Sequence, residues 1–338
     1  MKKVAVLGAT GLVGQMFVRL LENHPWFEIR YLVASRKSAG KKFKEFATWC
    51  VSDDLGEIEI KSLEDIIKIP DIDLVFSALP APVAEIVEKK LAEKIPVFSN
   101  ASAHRYEEDV PILIPEVNKD HLELVKVQRK NRKWEGFIVT NSNCSTAILN
   151  LSLKPISKFG ITRVNVATMQ AISGSGFRGI SAMQIFDNVV PYIEKEELKI
   201  ENESKKILGT LRDHHIIPAN FEISVIATRV PVLNGHTEAV FVEVEEDAHE
   251  KDLIDAFDGF DPLRDYRLPT HEKPILYNEI PQPRLHSNFG RGMTVTVGRL
   301  EKVGKKKFKY VVLGHNLIRG AAGGSILNAE IAYKLGFL

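Results

Sequence analysis

The sequence predicts an α/β protein with a doubly wound parallel sheet in its first half and an α+β unit with a mixed, largely antiparallel sheet in its second. Three features carry this. Short, continuous apolar runs alternate with helical patterns through the first 143 residues, as strands buried on both faces do. A glycine-rich turn joins the first run to the first helical pattern. Beyond that point apolar and polar side chains alternate, which marks strands with one covered face. The expected domains are residues 1–143 and residues 144–315.

Taken in order, Lys3-Val4-Ala5-Val6-Leu7 is the first buried strand and runs into Gly8-Ala9-Thr10-Gly11-Leu12-Val13-Gly14. Glycines three apart allow a tight turn, close approach to a pyrophosphate and packing on the sheet. The helix from Gln15 to Glu22 offers its N-terminus to the phosphates. This is a Rossmann-like arrangement, and a plain tight turn is the alternative. The second strand, Glu28 to Ala34, ends in Ser35-Arg36-Lys37-Ser38 where an acidic residue would take a ribose 2′-hydroxyl. Two cations and two hydroxyls suit a 2′-phosphate, hence NADP; an exposed basic loop is the alternative.

Asp73 to Pro80 reads as a strand and its loop, Ala81 to Glu93 as a helix and Pro96 to Asn100 as a further strand. Ser77, Ser99, Asn100 and Arg105 fall at carboxyl ends of strands, where such sheets bind ligands, although Ser and Asn also serve turns. Cys50, beside Trp49, reads as structural, and the charged run Lys119 to Glu135 as a solvated helix and loop. In the second half Thr162–Met169, Glu222–Val230, Glu238–Glu245, Met293–Glu301 and Phe308–Leu313 are the expected strands. A final helix runs from Ala321 to Leu338, with Ile326, Ala329, Ile331, Ala332 and Leu335 available to pack.

Chemistry centres on Thr140-Asn141-Ser142-Asn143-Cys144-Ser145-Thr146, which places a cysteine between a strand and a helix. Unpaired N–H groups and the positive end of the helix dipole favour a thiolate there and offer donors to an oxyanion. Cysteine is equally at home as a small buried hydrophobe. His236 follows Pro231 and Gly235 within an interrupted strand, which would place it on a short loop at a sheet edge as a proton shuttle or a structural hydrogen-bonder. His214-His215, expected on a helix, make a poor metal pair, and no metal site is expected. Gln170 to Gly179 is a glycine-rich loop leaving a strand. Glu196 and Lys199, three apart, share a helix face.

At 338 residues the chain can bury two cores. Forty-five Lys and Arg against 44 Asp and Glu leave a net charge of +1, which gives no electrostatic footprint for nucleic acid or an anionic membrane. Two cysteines make no disulfide framework, and no apolar stretch is long enough to span a bilayer. A soluble, unprocessed cytoplasmic protein is expected.

Together, Gly8–Gly14, Ser99-Asn100-Ala101 with Arg105, Pro115-Glu116-Val117-Asn118, Ser142–Thr146, Gln170 with Ser173-Gly174-Ser175-Gly176, Glu196-Glu197 with Lys199, Arg229-Val230-Pro231, Gly235–Glu238 and Gly314–Gly323 resemble aspartate-semialdehyde dehydrogenase. Order and spacing are closest to its archaeal and fungal branch. The resemblance implies NADPH-dependent reduction of 4-phospho-aspartate to aspartate 4-semialdehyde, toward lysine, threonine and methionine, through a Cys144 thioester. It implies that His236 exchanges the proton and Gln170 orients substrate. Arg229 and Glu196 would take the amino-acid head group, and Arg105, Asn143 and Lys199 the phosphate. Cofactor contacts would come from Gly8, Thr10, Gly11, Leu12, Val13, Gly14, Ser35, Arg36, Lys37, Ser38, Ser77, Ser173, Gly174 and Asn316. A homodimer or homotetramer through the second domain is implied, with residues 316–338 completing the first. His286-Ser287-Asn288 departs from the acidic residues expected there. Malonyl-CoA reduction by the same cysteine chemistry, or a non-catalytic NADP-binding sensor, are the competing functions.

Overall fold

The computed structural model describes residues 1–49, 51–66 and 71–338, so the reading of Cys50 lies outside the described residues. The chain forms two compact units. The first comprises Met1–Leu113, Asp120–Asn141 and Ala322–Leu338, the second Ile114–Lys119 and Ser142–Ala321.

The first unit contains β1 (Lys2–Leu7), β2 (Phe27–Ala34), β3 (Lys61–Ser62), β4 (Leu74–Ser77), β5 (Val97–Ser99), β6 (Ile112–Leu113) and β7 (Ile138–Asn141). They form one parallel sheet in the order β3-β2-β1-β4-β5-β7-β6. Strand order reverses between β1 and β4, the position where such sheets leave a crevice at their carboxyl ends. Val4, Val75 and Phe98 have no exposed surface, which is why these strands read as unbroken apolar runs. Phe17 and Phe27 both meet Phe76, with centroids 5.1 and 5.8 Å away; Phe76 meets Phe98 at 6.0 Å and Phe98 meets Phe137 at 5.8 Å. Each ring buried in this chain contributes about 1.5–3 kcal/mol through removal from water.

The C-terminal helix, Gly323–Lys334, belongs to this unit and touches β5 and β7. Ile326, Ala329, Ile331 and Ala332 are fully buried, whereas Leu335 is not the packing residue expected of it: it caps the helix and stays exposed. Glu330 holds His24 Nε2 at 2.8 Å in the interior. The run from Lys119 to Glu135 is also less solvated than its charge suggests. The helix Leu124–Arg132 buries Leu124, Val125 and Gln128, and Gln128 Nε2 donates to Asp109 O and Ile138 O at 3.0 and 3.1 Å.

The second unit adds β8 (Ile161–Gln170), β9 (Thr210–Arg212), β10 (His215–Ile217), β11 (Glu222–Arg229), β12 (His236–Val244), β13 (Ile275–Tyr277), β14 (Val295–Gly304) and β15 (Lys307–Gly314). Six of them form a mixed sheet ordered β11-β8-β12-β15-β14-β13. Its outer pairs, β11/β8 and β13/β14, are parallel and the three inner pairs antiparallel. The helices Cys144–Ile156 and Glu250–Asp258 lie on the sheet. Its other face leaves Ile226 and Phe241 exposed.

Two expectations change here. His214 and His215 are not helical: β9 and β10 form a hairpin whose turn residues Asp213 and His214 take φ of 48° and 69°. That left-handed pair is what a two-residue hairpin turn requires. His236 is not on an edge loop. It is the first residue of β12, an inner strand, and is fully buried.

Candidate active site

The second unit gathers Cys144 and its neighbours. The helix Cys144–Ile156 begins at the cysteine itself, capped by Asn143. Asn143 Oδ1 accepts from the N–H groups of Ser145 and Thr146 at 3.0 and 3.1 Å, and Asn143 N donates to the buried Glu203 at 2.7 Å. A cap of this kind satisfies donors that the first turn leaves unpaired and fixes the geometry at Cys144. Asn143 Nδ2 donates to Glu196 Oε1 at 2.8 Å, so its amide is committed to the cap and to Glu196, with one N–H left over for a ligand.

Cys144 Sγ lies 3.1 Å from His236 Nε2. His236 Nδ1 accepts the main-chain N–H of Ala171 at 3.0 Å. Burial, then the nearby Arg229 and His315, pulls the imidazole down to about 3. Gln170, at the end of β8, is buried, and its Nε2 donates to Thr168 Oγ1 at 3.2 Å. Arg229, at the end of β11, donates from Nη1 to Ala171 O at 2.7 Å. Burial lowers its pKa, while negative charge at Cys144 and Glu196 acts the other way.

Glu196 opens the helix Glu196–Ile207 and is buried, with Lys199 Nζ 3.4 Å from its Oε2. The glycine-rich loop closes over this cluster. A Cβ on Gly174 would stand 2.8 Å from Arg229 Nη1 and 3.2 Å from His236 Cε1, so only glycine leaves the guanidinium and imidazole in place. Asn316 Nδ2 donates to Ser173 Oγ at 2.8 Å and its Oδ1 accepts from Gly235 N at 2.9 Å. Thus Cys144, His236, Gln170, Asn143, Glu196, Lys199, Arg229, Ser173, Gly174 and Asn316 all belong to this unit. The unexpected His286 accepts from Gln282 N at 2.8 Å, and the Ser287 Cβ would lie 3.1 Å from a Cβ on Gly235.

Arg105 belongs to the first unit, where it donates to Asn141 O and Asn100 O at 2.9 and 3.0 Å. Its neighbour His104 is fully buried between Glu107 Oε1, at 2.8 Å from Nδ1, and Glu88 Oε2, at 3.5 Å from Nε2. Nothing in the sequence pattern points to this acid–histidine–acid cluster, because its members are spread from residue 88 to residue 107 and meet only after folding.

The nucleotide loop fits a dinucleotide pyrophosphate. Gly8 has φ +74°, and a Cβ there would lie 2.6 Å from Ala78 O; a Cβ on Gly14 would lie 2.0 Å from Gly8 O. Gly11 is exposed, caps the helix Leu12–Leu21 without a side chain, and leaves the first N–H groups of that helix open to an anion. Thr10, Leu12 and Val13 are partly exposed beside it. Ser35, Arg36 and Lys37 are exposed after β2, and Arg36 pairs with Glu64. The Ser38 side chain is buried, and the Ser77 side chain is fully buried beside Glu88. Among the described residues no His, Cys, Asp and Glu group is arranged to hold a metal, and no helix is long and apolar enough to cross a membrane.

Comparison with known proteins places the chain in a family. Residues 3–125 match the semialdehyde dehydrogenase NAD binding domain and residues 153–319 the semialdehyde dehydrogenase dimerisation domain. An aspartate-semialdehyde dehydrogenase of Archaeoglobus fulgidus is 50% identical over 98% of both chains. A malonyl CoA reductase (NADP) of Metallosphaera sedula is 37% identical, covering 99% of this chain and 98% of its own. The crystal structure of aspartate semialdehyde dehydrogenase with NADP from Candida albicans superposes over the whole of both chains with a TM-score of 0.89 at 38% identity. With both domain models matched in order and half of all residues shared with a full-length relative, the chain is an oxidoreductase that belongs to the aspartate-semialdehyde dehydrogenase family.

Proposed function

We propose that the protein interconverts 4-phospho-L-aspartate and L-aspartate 4-semialdehyde with NADP(H), a step toward lysine, threonine and methionine, through a thioester on Cys144. The observation that carries this reading is the thiol 3.1 Å from an imidazole, in a unit that also holds a buried carboxylate, Glu196, and a buried guanidinium, Arg229. A free amino acid brings an ammonium for the first and a carboxylate for the second.

Cys144 Sγ attacks the acyl carbon. The C–S bond forms as the C–O bond to phosphate breaks, and the electron pair leaves with the phosphate. The helix N-terminus favours the thiolate, and His236, whose Nε2 lies 3.1 Å from Sγ, exchanges the proton. Gln170 orients the substrate; Lys199, Arg105 and the remaining Asn143 N–H take the phosphate. A bound reduced nicotinamide dinucleotide supplies the hydride that brings the thioester to the aldehyde level. Cleavage of the C–S bond then releases the aldehyde and restores the thiolate. The loop from Gly8 to Gly14 holds the pyrophosphate, Ser35, Arg36 and Lys37 the 2′-phosphate, and Ser173, Gly174 and Asn316 the nicotinamide end. Residues 1–143 with 316–338 serve as the NADP domain and 144–315 as the catalytic and dimerisation domain of a cytoplasmic homodimer or homotetramer. Exposed Ile226 and Phe241 support self-association.

A side-by-side assay tests the substrate. Oxidation of aspartate semialdehyde with phosphate and NADP is expected to exceed reduction of malonyl-CoA, because a coenzyme A thioester offers no ammonium to Glu196. Glu196 already holds Asn143 Nδ2 and Lys199, and the substrate ammonium adds a charge-assisted contact, worth about 1.5–3 kcal/mol, that a coenzyme A thioester lacks. Glu196→Gln should remove most of the aspartate semialdehyde activity. Faster turnover of malonyl-CoA by the native protein would overturn the substrate and leave the thioester chemistry standing.

A further inference from the structure

Alternate residues of β12 are buried where the strand meets the helix Cys144–Ile156, and on that face Glu238 has no exposed surface. Among the described residues, neither of its carboxyl oxygens has a hydrogen-bond partner at ordinary geometry. The same holds for Ser145 Oγ, the hydroxyl that faces it from the first turn of the helix. A carboxylate in that position would be an uncompensated interior charge, which is costly. A neutral carboxyl group has a donor as well as acceptors, so it can give its proton to Ser145 Oγ, which an anion cannot do.

The groups around Glu238 point the same way. Cys144 and Ser145 belong to the helix, Thr168 is its partner on β8 and Val312 its partner on β15. Tyr310, two residues before Val312, has its hydroxyl 2.9 Å from Ser152 Oγ, and burial raises its pKa. His236, two residues earlier on β12, is pulled down to about 3, chiefly by burial. The charged group that acts on Glu238 is Glu196, of the same sign: burial pushes the Glu238 pKa well above the ordinary 4.5, Ser145 pulls it back and Glu196 adds to the rise. Asn143, the cap of the same helix, already meets Glu196 and Glu203. A charge on Glu238 would compete with the Cys144 thiolate for the positive end of that helix.

We propose that Glu238 is a positioning residue held as the neutral acid, whose proton ties Ser145 to β12 and fixes the first turn of the Cys144 helix without setting another anion beside the thiolate. This rests on the thioester reading above, since the thiolate is what a charged Glu238 would oppose. The strand pairing carries the same anchor toward the substrate. Thr168, paired with Glu238, accepts Gln170 Nε2 on its Oγ1 at 3.2 Å. One buried acid therefore stands between the turn that presents Cys144 and the strand end that presents Gln170.

The pH dependence of Cys144 alkylation in the unliganded protein tests the charge without any substrate. Glu238→Gln keeps the shape and a donor but cannot ionise, so its midpoint should match that of the native thiol. A shifted midpoint overturns the proposal, a downward shift because native Glu238 is then an anion. Thermal unfolding reads the same proton independently. The folded chain keeps a proton on Glu238 that the unfolded chain releases above pH 4.5, so native stability falls with rising pH through this group and the glutamine variant is spared that fall. The melting temperature of Glu238→Gln relative to native should therefore climb from pH 4.5 to about 8, and a difference that stays level or shrinks overturns the proposal. Turnover reads the positioning. Glu238→Leu, which fills the space without hydrogen bonds, should lower kcat about ten- to a hundredfold and leave KM for NADPH within a few-fold, whereas Glu238→Gln should keep kcat within a few-fold of native. Equal losses in the two variants, or no loss in the leucine variant, overturn it; if the leucine variant does not fold, the two glutamine measurements decide. Because alkylation and unfolding use no substrate, a failure of the aspartyl phosphate assignment is distinguishable from a failure of this one.

Discussion

Asn143 Nδ2 donates to Glu196 Oε1 at 2.8 Å while Asn143 Oδ1 caps the helix that begins at Cys144. One amide therefore couples the helix that begins at Cys144 to the carboxylate proposed to bind the substrate ammonium. Asn143→Ala should lose the cap, at about 0.5–2 kcal/mol of stability, and also raise KM for aspartate semialdehyde. Asn143→Asp should keep the cap yet place a second carboxylate against the buried Glu196, so it should raise KM and also cost stability through like-charge repulsion. Thermal unfolding and steady-state kinetics on both variants separate these effects, and an unchanged KM in both would uncouple Asn143 from substrate.

Cys144→Ala should abolish turnover while NADPH binding stays within a few-fold, since the nucleotide loop lies elsewhere in the chain. The native thiol should be alkylated rapidly at neutral pH, because it stands at a helix N-terminus, which stabilises the thiolate, with an imidazole 3.1 Å away. An inert Cys144 in a protein that still binds NADPH would identify a nucleotide sensor.

Arg36 pairs with Glu64 on the surface, both side chains well exposed. Such a pair is worth little, so the guanidinium can exchange Glu64 for a 2′-phosphate at small cost. Arg36→Ala should raise KM for NADPH about tenfold or more and leave NADH nearly unchanged. Glu64→Gln, which removes the competitor, should lower KM for NADPH. Equal losses with both nucleotides in the Arg36 variant would make that residue structural.

Burial alone would raise the Glu107 pKa, but hydrogen bonds from His104, Arg132 and Lys89 hold it down at about 2, against an ordinary 4.5. The unfolded chain therefore binds more protons between those values, and Glu107 contributes stability that is complete above pH 4.5 and lost as pH falls toward 2. Glu107→Gln should flatten the fall of the melting temperature over that window and lower it at pH 7. An unaltered acid limb would show that the His104 cluster does not contribute.

The parallel sheet was legible because strands buried on both faces leave unbroken apolar runs, and β1 and β4 are such runs. Cys144 was legible from its place between a strand and a helix. Hydrogen-bonding context was not. The Pro231 and Gly235 interruption reads as an exposed loop, yet His236 begins an inner strand, because the pairing with Gly314 on β15 starts at that residue. The His214-His215 hairpin carries no glycine to announce its left-handed turn, and β13 is three residues long, too short for alternation to register.

The helix Gly323–Lys334 supplies the last part of a unit whose first strand is Lys2–Leu7, and the second unit's residues Ser142–Ala321 lie between them in the chain. During synthesis, the sheet holding the glycine loop emerges early but waits for that helix until the other unit has left the ribosome. Until then the flank that Ile326, Ile331 and Glu330 cover stays wet, and His24 lacks the acid that it meets in the finished fold. That helix can dock only after Ser142–Ala321 have been made, so the core of the first unit is closed by the part of it that is synthesised last.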